Sequence, residues 1–155
     1  MKYEVDQSGK VEQTNKHTIL CLSNDSWDAL LIKARTKRQV QEIFRRSGQV
    51  RNYVLFTFCA GLSFLIKRNL EVGRVIIDRE YYGKEAVIKE ILLQMLGKCK
   101  RIPEVIFENI GRRARAHSRA YLIFTRKLKA KYCMNLEEVL GEIKLTEVGK
   151  RLKNA

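Results

Sequence analysis

The chain has 155 residues, of which 45% are hydrophobic and 31% are charged. This length supports one core and a single domain, which excludes a large multidomain enzyme, and the hydrophobic share excludes wholesale disorder. Lysine and arginine number 31 against 17 acids, a net charge of +14. Such a basic balance in a compact domain indicates a polyanionic partner, and we expect nucleic acid; a merely soluble charged surface is the alternative.

The four cysteines and two histidines do not form a zinc-binding pattern. The cysteines lie at wide spacings and contain no C-x-x-C pair, whereas zinc sites bring their ligands in close pairs. Residues 1–10 contain no apolar segment behind a basic patch, so we expect no secretory signal and reduced thiols in the cytoplasm. Each cysteine is then expected to act as a small core hydrophobe.

Three strands are predicted first. Residues 2–6 alternate in polarity and precede the turn residues QSGK, so the first strand should end at or near Asp6. Residues 17–23 and 27–33 read as the second and third strands. The turn residues between them, NDS, predict a hairpin.

A helical region is predicted after the third strand. From Thr36 apolar residues recur at helical spacing and Gly48 interrupts them, which predicts one bent helix or two, ending near Arg68. The apolar residues 54–66 are fewer than the roughly 17–25 that span a bilayer. We therefore expect a core helix covered on both sides and no membrane partner.

Strands and helices alternate in the second half of the chain. A β-branched run over residues 74–81 predicts the fourth strand, and residues 84–96 carry one apolar helical face. Residues 104–110 predict the fifth strand. A further helix is expected from about residue 113 to residue 129.

The C-terminal tail carries a helix-start signal. Asn135 and Glu138 match an N-cap with its reciprocal acid, ahead of an amphipathic stripe. We expect a domain of residues 1–132 and a helical extension, residues 133–155, that docks on it. The element order β-β-β-α-β-α-β-α then predicts an α/β fold with a mixed five-stranded sheet flanked by helices. Strands one, four and five are expected to be parallel, and strands two and three antiparallel.

Three carboxylates are expected at one edge of this sheet. Ligands of α/β sheets bind beyond the carboxyl ends of the parallel strands, where Asp6, Asp78 and Glu80 fall. Asp78 and Glu80 alternate onto one face of the fourth strand, and Asp6 lies beside them if the first strand is its neighbour. Crowded carboxylates repel one another unless a cation neutralises them, and Mg²⁺ prefers such ligands. Ion pairs with nearby lysines and arginines are the alternative.

Basic residues concentrate in two places. Residues 98–131 include 11 basic and two acidic side chains, and a second basic group surrounds the start of the first helix. Either group alone is typical of a solvated helix face, but both near the sheet edge favour contact with a phosphate backbone. The candidate nucleic-acid-binding residues are Arg112, Arg113, Arg115, Arg119, Arg126, Lys127, Lys37 and Arg38.

With these acidic positions and this element order, residues 1–129 resemble the ribonuclease H-like superfamily, which includes ribonuclease H, retroviral integrases, transposases and Holliday-junction resolvases. In that superfamily an aspartate in the first strand, often followed by a small turn such as the VDQSG here, binds the catalytic metal; Asp6 matches it. A second acid at the end of the fourth strand matches Asp78 or Glu80 in IIDREY. The resemblance implies one or two Mg²⁺ or Mn²⁺ ions at these residues. The whole chain also looks like small archaeal proteins of unassigned function.

The chain departs from ribonuclease H proper, which has a glutamate in its first long helix. Residues 50–68 contain no glutamate, which is similar to the resolvase-like branch. Further carboxylates come there from the last helix, where RRARAHSRAY offers His117 and no acid. Some members of that branch are similar in using a histidine, so His117 is a candidate site residue; a packed histidine is the alternative. An imidazole could bind a second metal or orient the attacking water.

Two functions follow from this reading. The first is a metal-dependent nuclease of the ribonuclease H-like type that cleaves phosphodiesters in structured DNA or RNA. The alternative, favoured by the missing fourth carboxylate, is a non-catalytic nucleic-acid or ribonucleoprotein binding module on the same fold. The sequence leaves open whether the substrate is DNA or RNA and whether the protein is a monomer or a homodimer.

Overall fold

A mixed sheet with helices on both faces forms the body of the protein. The computed structural model describes residues 2–69, 71–111 and 115–152. The strands of this part of the chain are Lys2–Ser8 (β1), Thr18–Ser23 (β2), Trp27–Ile32 (β3), Arg74–Asp78 (β4), Glu104–Glu108 (β5) and Tyr132–Cys133 (β6). The α-helices are Ala34–Arg46 (α1), Tyr53–Lys67 (α2), Glu85–Leu96 (α3), Arg115–Phe124 (α4), Leu136–Ile143 (α5) and Glu147–Lys150 (α6).

The strands lie in the order β5-β4-β1-β2-β3-β6. β1, β4 and β5 run parallel, and β2 and β3 continue the sheet antiparallel, which confirms the predicted directions. The prediction of five strands is wrong, because β6 adds a sixth by pairing in parallel with β3. A two-residue strand is too short to show an alternating pattern, so nothing in the sequence marks it.

The main core lies between one face of the sheet and the helices α1, α2, α3 and α5. Helix α2 is at its centre, with twelve of its fifteen residues buried. A Cβ on Gly61 would lie 2.4 Å from Leu20 Cδ1, so a larger residue here would have to displace the buried Leu20 side chain between α2 and β2. The predicted helical region is two helices, because Gly48 adopts a φ of +70° and ends α1.

The stretch Val50–Lys67 combines a short 3₁₀ turn with α2. It has 18 residues and is long and apolar enough to cross a membrane by length and composition, so the length argument made from residues 54–66 does not hold. The burial of this stretch indicates a core helix rather than a membrane span, because 67% of it is buried inside the fold. The helix is therefore the covered core helix that was predicted.

Of the helices that the structure describes, α4 is the one that packs on the opposite face of the sheet, against β1, β2 and β3. Its buried Ala120 and Ile123 form a second, smaller core with Ile19, Cys21 and Ala29 of the hairpin. Of the cysteines, Cys21 and Cys59 are buried as predicted, whereas Cys99 is half-buried and Cys133 is exposed. This packing places the arginines of α4, Arg115 and Arg119, on the same side of the sheet.

The C-terminal segment is tied to α2. Asn135 and Glu138 form the predicted capping box of α5, each side chain bonding the other residue's backbone amide. Glu142 of α5 accepts hydrogen bonds from Ser63 Oγ at 2.8 Å and from Lys67 Nζ at 2.7 Å. β6 spans the boundary predicted between residues 132 and 133, and α5 contributes to the main core.

Candidate metal centre

The parallel ladder between β1 and β4 ends at the pair Val5 and Ile77. The next residue on each strand is a carboxylate, Asp6 on β1 and Asp78 on β4. Adjacent strands lie about 4.8 Å apart, so the ladder itself sets these two side chains close together. The structure thus brings Asp6 and Asp78 together at the carboxyl edge of the parallel strands, as predicted.

Glu80 reaches the same point from a loop. The sequence predicts a strand over residues 74–81, but β4 ends at Asp78, because the Glu80 amide donates to the Asp78 carbonyl at 2.9 Å and closes a tight turn. The expected alternation of Asp78 and Glu80 along one strand is therefore wrong. One carboxylate oxygen from each of Asp6, Asp78 and Glu80 nevertheless lies within 4.8 Å of the other two. We call these three residues the carboxylate cluster.

Hydrogen bonds fix the orientation of two members of the cluster. Asp6 Oδ1 accepts from the Gln7 amide at 2.8 Å, and Asp6 Oδ2 lies 2.6 Å from Nδ1 of His117. Asp78 Oδ1 accepts from the Ile110 amide at 2.7 Å. Each of these carboxylates keeps a further lone pair for another ligand, since an ionised carboxylate has about four acceptor sites.

The negative charge of the cluster is only partly balanced by the described residues. No lysine or arginine in residues 2–69, 71–111 and 115–152 forms an ion pair with it, and His117 contacts Asp6 alone. Burial raises the pKa of Asp6, while the hydrogen bond from His117 lowers it and the charge of Asp78 raises it again. Burial also raises the pKa of Glu80, the neighbouring Asp6 and Asp78 raise it further, and the charge of Lys10 lowers it. Protons or a bound cation would offset the negative charge that remains.

The donor set suits a hard divalent cation. All three donors are carboxylate oxygens, the ligands that Mg²⁺ and Mn²⁺ prefer, with no thiolate among them to select zinc. Asp6 is 3% exposed, and the other two are half-buried, so the cluster opens to solvent on one side. Asp6, Asp78 and Glu80 are the residues that could hold the ion.

His117 contacts the cluster through Asp6. It lies on α4, and its side chain is 39% exposed, so it is not the packed core histidine of the alternative interpretation. Its Nδ1 is committed to Asp6, which leaves Nε2 as the ring nitrogen facing other partners. An imidazole bound in this way orients the carboxylate, as the outer partners of metal ligands do.

Two predicted phosphate-binding arginines flank His117 on α4. Arg115 is exposed and lies 3.5 Å from Asp25, an exposed surface pair of little energetic weight. The guanidinium of Arg119 lies 5.3 Å from the centre of the Trp27 ring. Both side chains therefore lie toward the β2–β3 turn, near the amino end of β1 and away from the carboxylate cluster, and Arg115 is accessible from solvent.

Two further basic residues predicted on this helix, Arg126 and Lys127, lie outside it. α4 ends at Phe124, five residues before the predicted end at residue 129, so Arg126 and Lys127 lie beyond the helix, where both are exposed. Arg112 and Arg113 lie outside the described residues.

Lys37 was predicted to bind nucleic acid, but it lies in the interior of the fold. It is fully buried, and its ammonium donates to the carbonyls of Lys10 and Gln13 and to the Thr18 hydroxyl, at 2.8 to 3.1 Å. All three donors are thereby used, so Lys37 is not available to a phosphate. Its neighbour Arg38 is exposed and donates to the Thr14 carbonyl at 2.8 Å.

Several residues around the cluster were not found from the sequence. The Ile110 amide that binds Asp78 is a backbone group, which no sequence pattern marks. The Gln7 side chain donates to the Tyr81 hydroxyl at 3.1 Å, and this hydroxyl donates to Glu12 at 3.2 Å. These contacts tie the loop after β1 to the loop that carries Glu80.

In the metal-free protein we expect Asp6 and Glu80 to contribute a loss of stability as the pH rises, while His17, whose pKa is lowered, contributes in the opposite direction. Asp6 and Glu80 have ordinary pKa values of 3.8 and 4.5, and both are raised in the folded chain. Above the ordinary values the folded protein holds protons that the unfolded chain has lost, so the free energy of unfolding decreases until the raised values are passed. Urea unfolding in chelator from pH 4 to pH 8 measures this decrease, which should be smaller in Asp6→Asn.

Mn²⁺ is expected to reverse this loss at pH 7. A cation at about 100 times its Kd adds about 2.7 kcal/mol to the free energy of unfolding, which raises Tm by about 5 to 10 °C in a chain of this size. Glu108→Gln, at the exposed end of the neighbouring β5, should keep the full response, and Asp6→Asn should lose it. An equal rise of Tm in wild type and Asp6→Asn would contradict a metal centre at the cluster.

Comparison of the chain with protein-family models, with curated proteins and with solved structures finds no match.

Proposed function

We propose that the chain is a metal-dependent nuclease of the ribonuclease H-like type that cleaves phosphodiesters in structured DNA or RNA. The observation that carries the proposal is the convergence of three carboxylates on the carboxyl edge of two parallel strands, with no lysine or arginine ion pair to them among the described residues. Charges placed in this way without neutralisation are costly, and a divalent cation that also binds phosphate removes the cost.

The topology supports the same proposal. The element order and strand directions are those that the ribonuclease H-like resemblance requires, with Asp6 on the first strand and Asp78 at the end of the fourth. The chain differs from that pattern on the last helix, because the described helix α4 contains no carboxylate and offers His117.

Asp6, Asp78 and Glu80 would hold one or two Mg²⁺ or Mn²⁺ ions. A bound ion supplies Lewis acidity toward the phosphodiester and toward water at neutral pH. Asp6 is held for this role by the Gln7 amide and by His117, so its carboxylate does not have to reorganise. The exposed Arg115 lies at the β2–β3 turn, near the amino end of β1, where its positive charge would bind the phosphate backbone at a distance from the cluster.

The free state of all four cysteines supports a reducing compartment, and the cytoplasm stays our prediction. Nucleic acid stays the predicted partner, on the net charge of +14. Whether the protein is a monomer or a homodimer stays open.

The test is a cleavage assay over substrates of different structure. Labelled duplex, single-stranded, RNA–DNA hybrid and four-way-junction substrates are incubated with the protein in Mg²⁺, in Mn²⁺ and in chelator. We expect cleavage of at least one substrate only when a divalent ion is present. Cleavage that persists in chelator, or no cleavage of any substrate, would contradict the proposal.

The absence of a carboxylate from the described helix α4 favours one alternative function, a non-catalytic nucleic-acid binding module. For such a module, salt-sensitive binding without cleavage is expected in every arm of the same assay. Asp6→Asn should then leave the affinity unchanged or slightly higher, because it only removes a negative charge.

A further inference from the structure

A large cavity opens on the face of the sheet that carries α4. Its volume is about 690 Å³, within the range of about 300 to 1,000 Å³ that small-molecule sites occupy. Its apolar wall includes Ile19 of β2, Leu31 of β3 and, from the end of α4, Ile123 and Phe124. The cavity is therefore a gap in the layer that covers this face of the sheet.

The early end of α4 creates the gap. The Arg126 amide donates to the Ile123 carbonyl and the Lys127 amide to the Leu122 carbonyl, the pair of bonds that terminates a helix through a left-handed residue. That residue is Arg126, with a φ of +63°. Glycine usually occupies this position because it has no steric cost there. An arginine in its place keeps a strained backbone and sets a guanidinium at the rim of the cavity.

The rim of the cavity is positively charged. Lys16, Arg126 and Lys129 line it and are exposed, and no aspartate or glutamate is among the described residues that line it. His17 also lines it, and its Nδ1 accepts a hydrogen bond from the Ala34 amide at 2.9 Å. Burial and then the nearby positive charges, that of Arg126 first, lower the pKa of His17. The neutral ring therefore carries its proton on Nε2, as a donor.

The cavity and the carboxylate cluster share one side of the sheet. Ile19 pairs with Ser8, two residues after Asp6 on β1. On α4, Phe124 follows His117 by seven residues, which is about 10 Å along a helix axis. Both sites therefore lie within reach of one nucleic-acid strand, because proteins that bind single strands contact at least about four successive nucleotides.

We propose that this cavity takes up one unstacked base of the nucleic-acid substrate, with the adjoining phosphates on the basic rim. The proposal rests on the proposed function and narrows its substrate class to strands with an unpaired nucleotide close to the cleaved bond. An apolar wall containing an aromatic ring, the N–H donor of His17 and a rim of positive charge match the base, its polar edge and its phosphates respectively. The rim charges alone would bind phosphate without a preference for unpaired bases.

Equilibrium binding in chelator tests the proposal independently of cleavage. The probes are two duplexes that differ only in one bulged 2-aminopurine, whose fluorescence reports its environment. We expect the wild-type protein to bind the bulged duplex about 5- to 100-fold more tightly than the paired one, the range that stacking of one base supplies. Equal affinities for the two duplexes would overturn the proposal.

Filling the cavity should remove the preference for the bulged duplex and leave the affinity for the paired duplex unchanged. Ala130 lines the cavity and is half-buried, so Ala130→Phe is expected to lower the affinity for the bulged duplex to that for the paired duplex. Ala86→Phe, an equal change on the exposed face of α3, is the matched control and should keep the preference. Loss of affinity for both duplexes in Ala130→Phe alone, with Tm lowered, would overturn the specific role of the cavity.

Arg126→Gly separates binding from stability. Glycine relieves the left-handed backbone, so Tm should rise by a few degrees, while the affinity for the bulged duplex falls several-fold and its salt slope decreases by about one. A gain in Tm with unchanged binding would contradict a phosphate contact by Arg126. Misfolding cannot produce a higher Tm together with a lower affinity, because a misfolded variant would have a lower Tm.

The two proposals fail in distinguishable ways. A preference for the bulged duplex without cleavage in any metal would support the cavity and overturn the nuclease. Metal-dependent cleavage with no preference for the bulged duplex would support the nuclease and overturn base binding in the cavity. Deoxyadenosine monophosphate, added as a competitor, identifies the source of the base: competition at concentrations similar to those of the duplex would overturn a strand-borne ligand.

Discussion

Asp6→Asn is expected to abolish metal-dependent cleavage, lowering the rate by about 10³-fold or more. Loss of a carboxylate ligand removes several kcal/mol of transition-state stabilisation, and each 1.36 kcal/mol corresponds to a factor of ten in rate. Asp6 is the most buried member of the carboxylate cluster and is held by two hydrogen bonds, so no neighbouring side chain replaces it. The measurement is single-turnover cleavage of the preferred substrate in saturating Mn²⁺.

Glu108→Gln is the matched control for this variant. Glu108 pairs with Asp78 across the β4–β5 ladder and ends the next parallel strand, but it is exposed and is not part of the cluster. Its rate should stay within about twofold of wild type. Because Asp6→Asn removes one negative charge, its affinity for nucleic acid in chelator should be equal or higher. Cleavage by Asp6→Asn at a wild-type rate would exclude the cluster as the catalytic centre.

Lys37→Met is expected to lower the free energy of unfolding by about 2 to 4 kcal/mol. The methionine fills much of the same volume but removes the three hydrogen bonds of the ammonium, so the Lys10 and Gln13 carbonyls keep only the bonds from the Gln13 and Lys16 amides. A hydrogen bond to a charged group contributes about 1.5 to 3 kcal/mol. Burial already lowers the pKa of Lys37 to about 8, with Glu12 acting in the opposite direction, so at pH 7 the ammonium is still the species bonded here.

Arg38→Met is the control for Lys37→Met. Arg38 follows Lys37 on α1 and bonds the same loop at the Thr14 carbonyl, but from the exposed side. Its replacement should change stability by no more than about 0.5 kcal/mol, as for other exposed positions. Urea unfolding of both variants gives the comparison. A Lys37→Met protein as stable as Arg38→Met would show that the buried hydrogen bonds do not anchor the loop.

The burial of Lys37 had a signal in the sequence. Lys37, Val40 and Phe44 follow the spacing i, i+3 and i+7, so the lysine lies on the apolar face of α1. Its charge placed it among the phosphate-binding candidates, and that choice is corrected by the three acceptors around it. A charged residue on the buried stripe of a helix indicates an internal role before an external one.

The sheet and its acidic edge were predictable for physical reasons. Parallel strands end at one edge, so Asp6 and Asp78 could be placed together before any contact was known. The contact between His117 and Asp6 could not be derived, because 111 residues separate them and no local pattern connects them. The early end of α4 was missed because Arg126 takes the left-handed position without the glycine that usually marks it.

The cluster has two fixed members and one adjustable member. Asp6 and Asp78 are held on a six-stranded sheet and by backbone amides, whereas Glu80 extends from a loop beyond β4. Mg²⁺ takes ligands at 2.0 to 2.1 Å and Ca²⁺ at 2.3 to 2.6 Å, and the larger ion also takes more of them. If the cluster binds an ion, discrimination between ions of different radius would therefore fall to Glu80. Shortening it in Glu80→Asp should change the ratio of Mg²⁺ to Ca²⁺ affinity more than it changes the affinity for either ion.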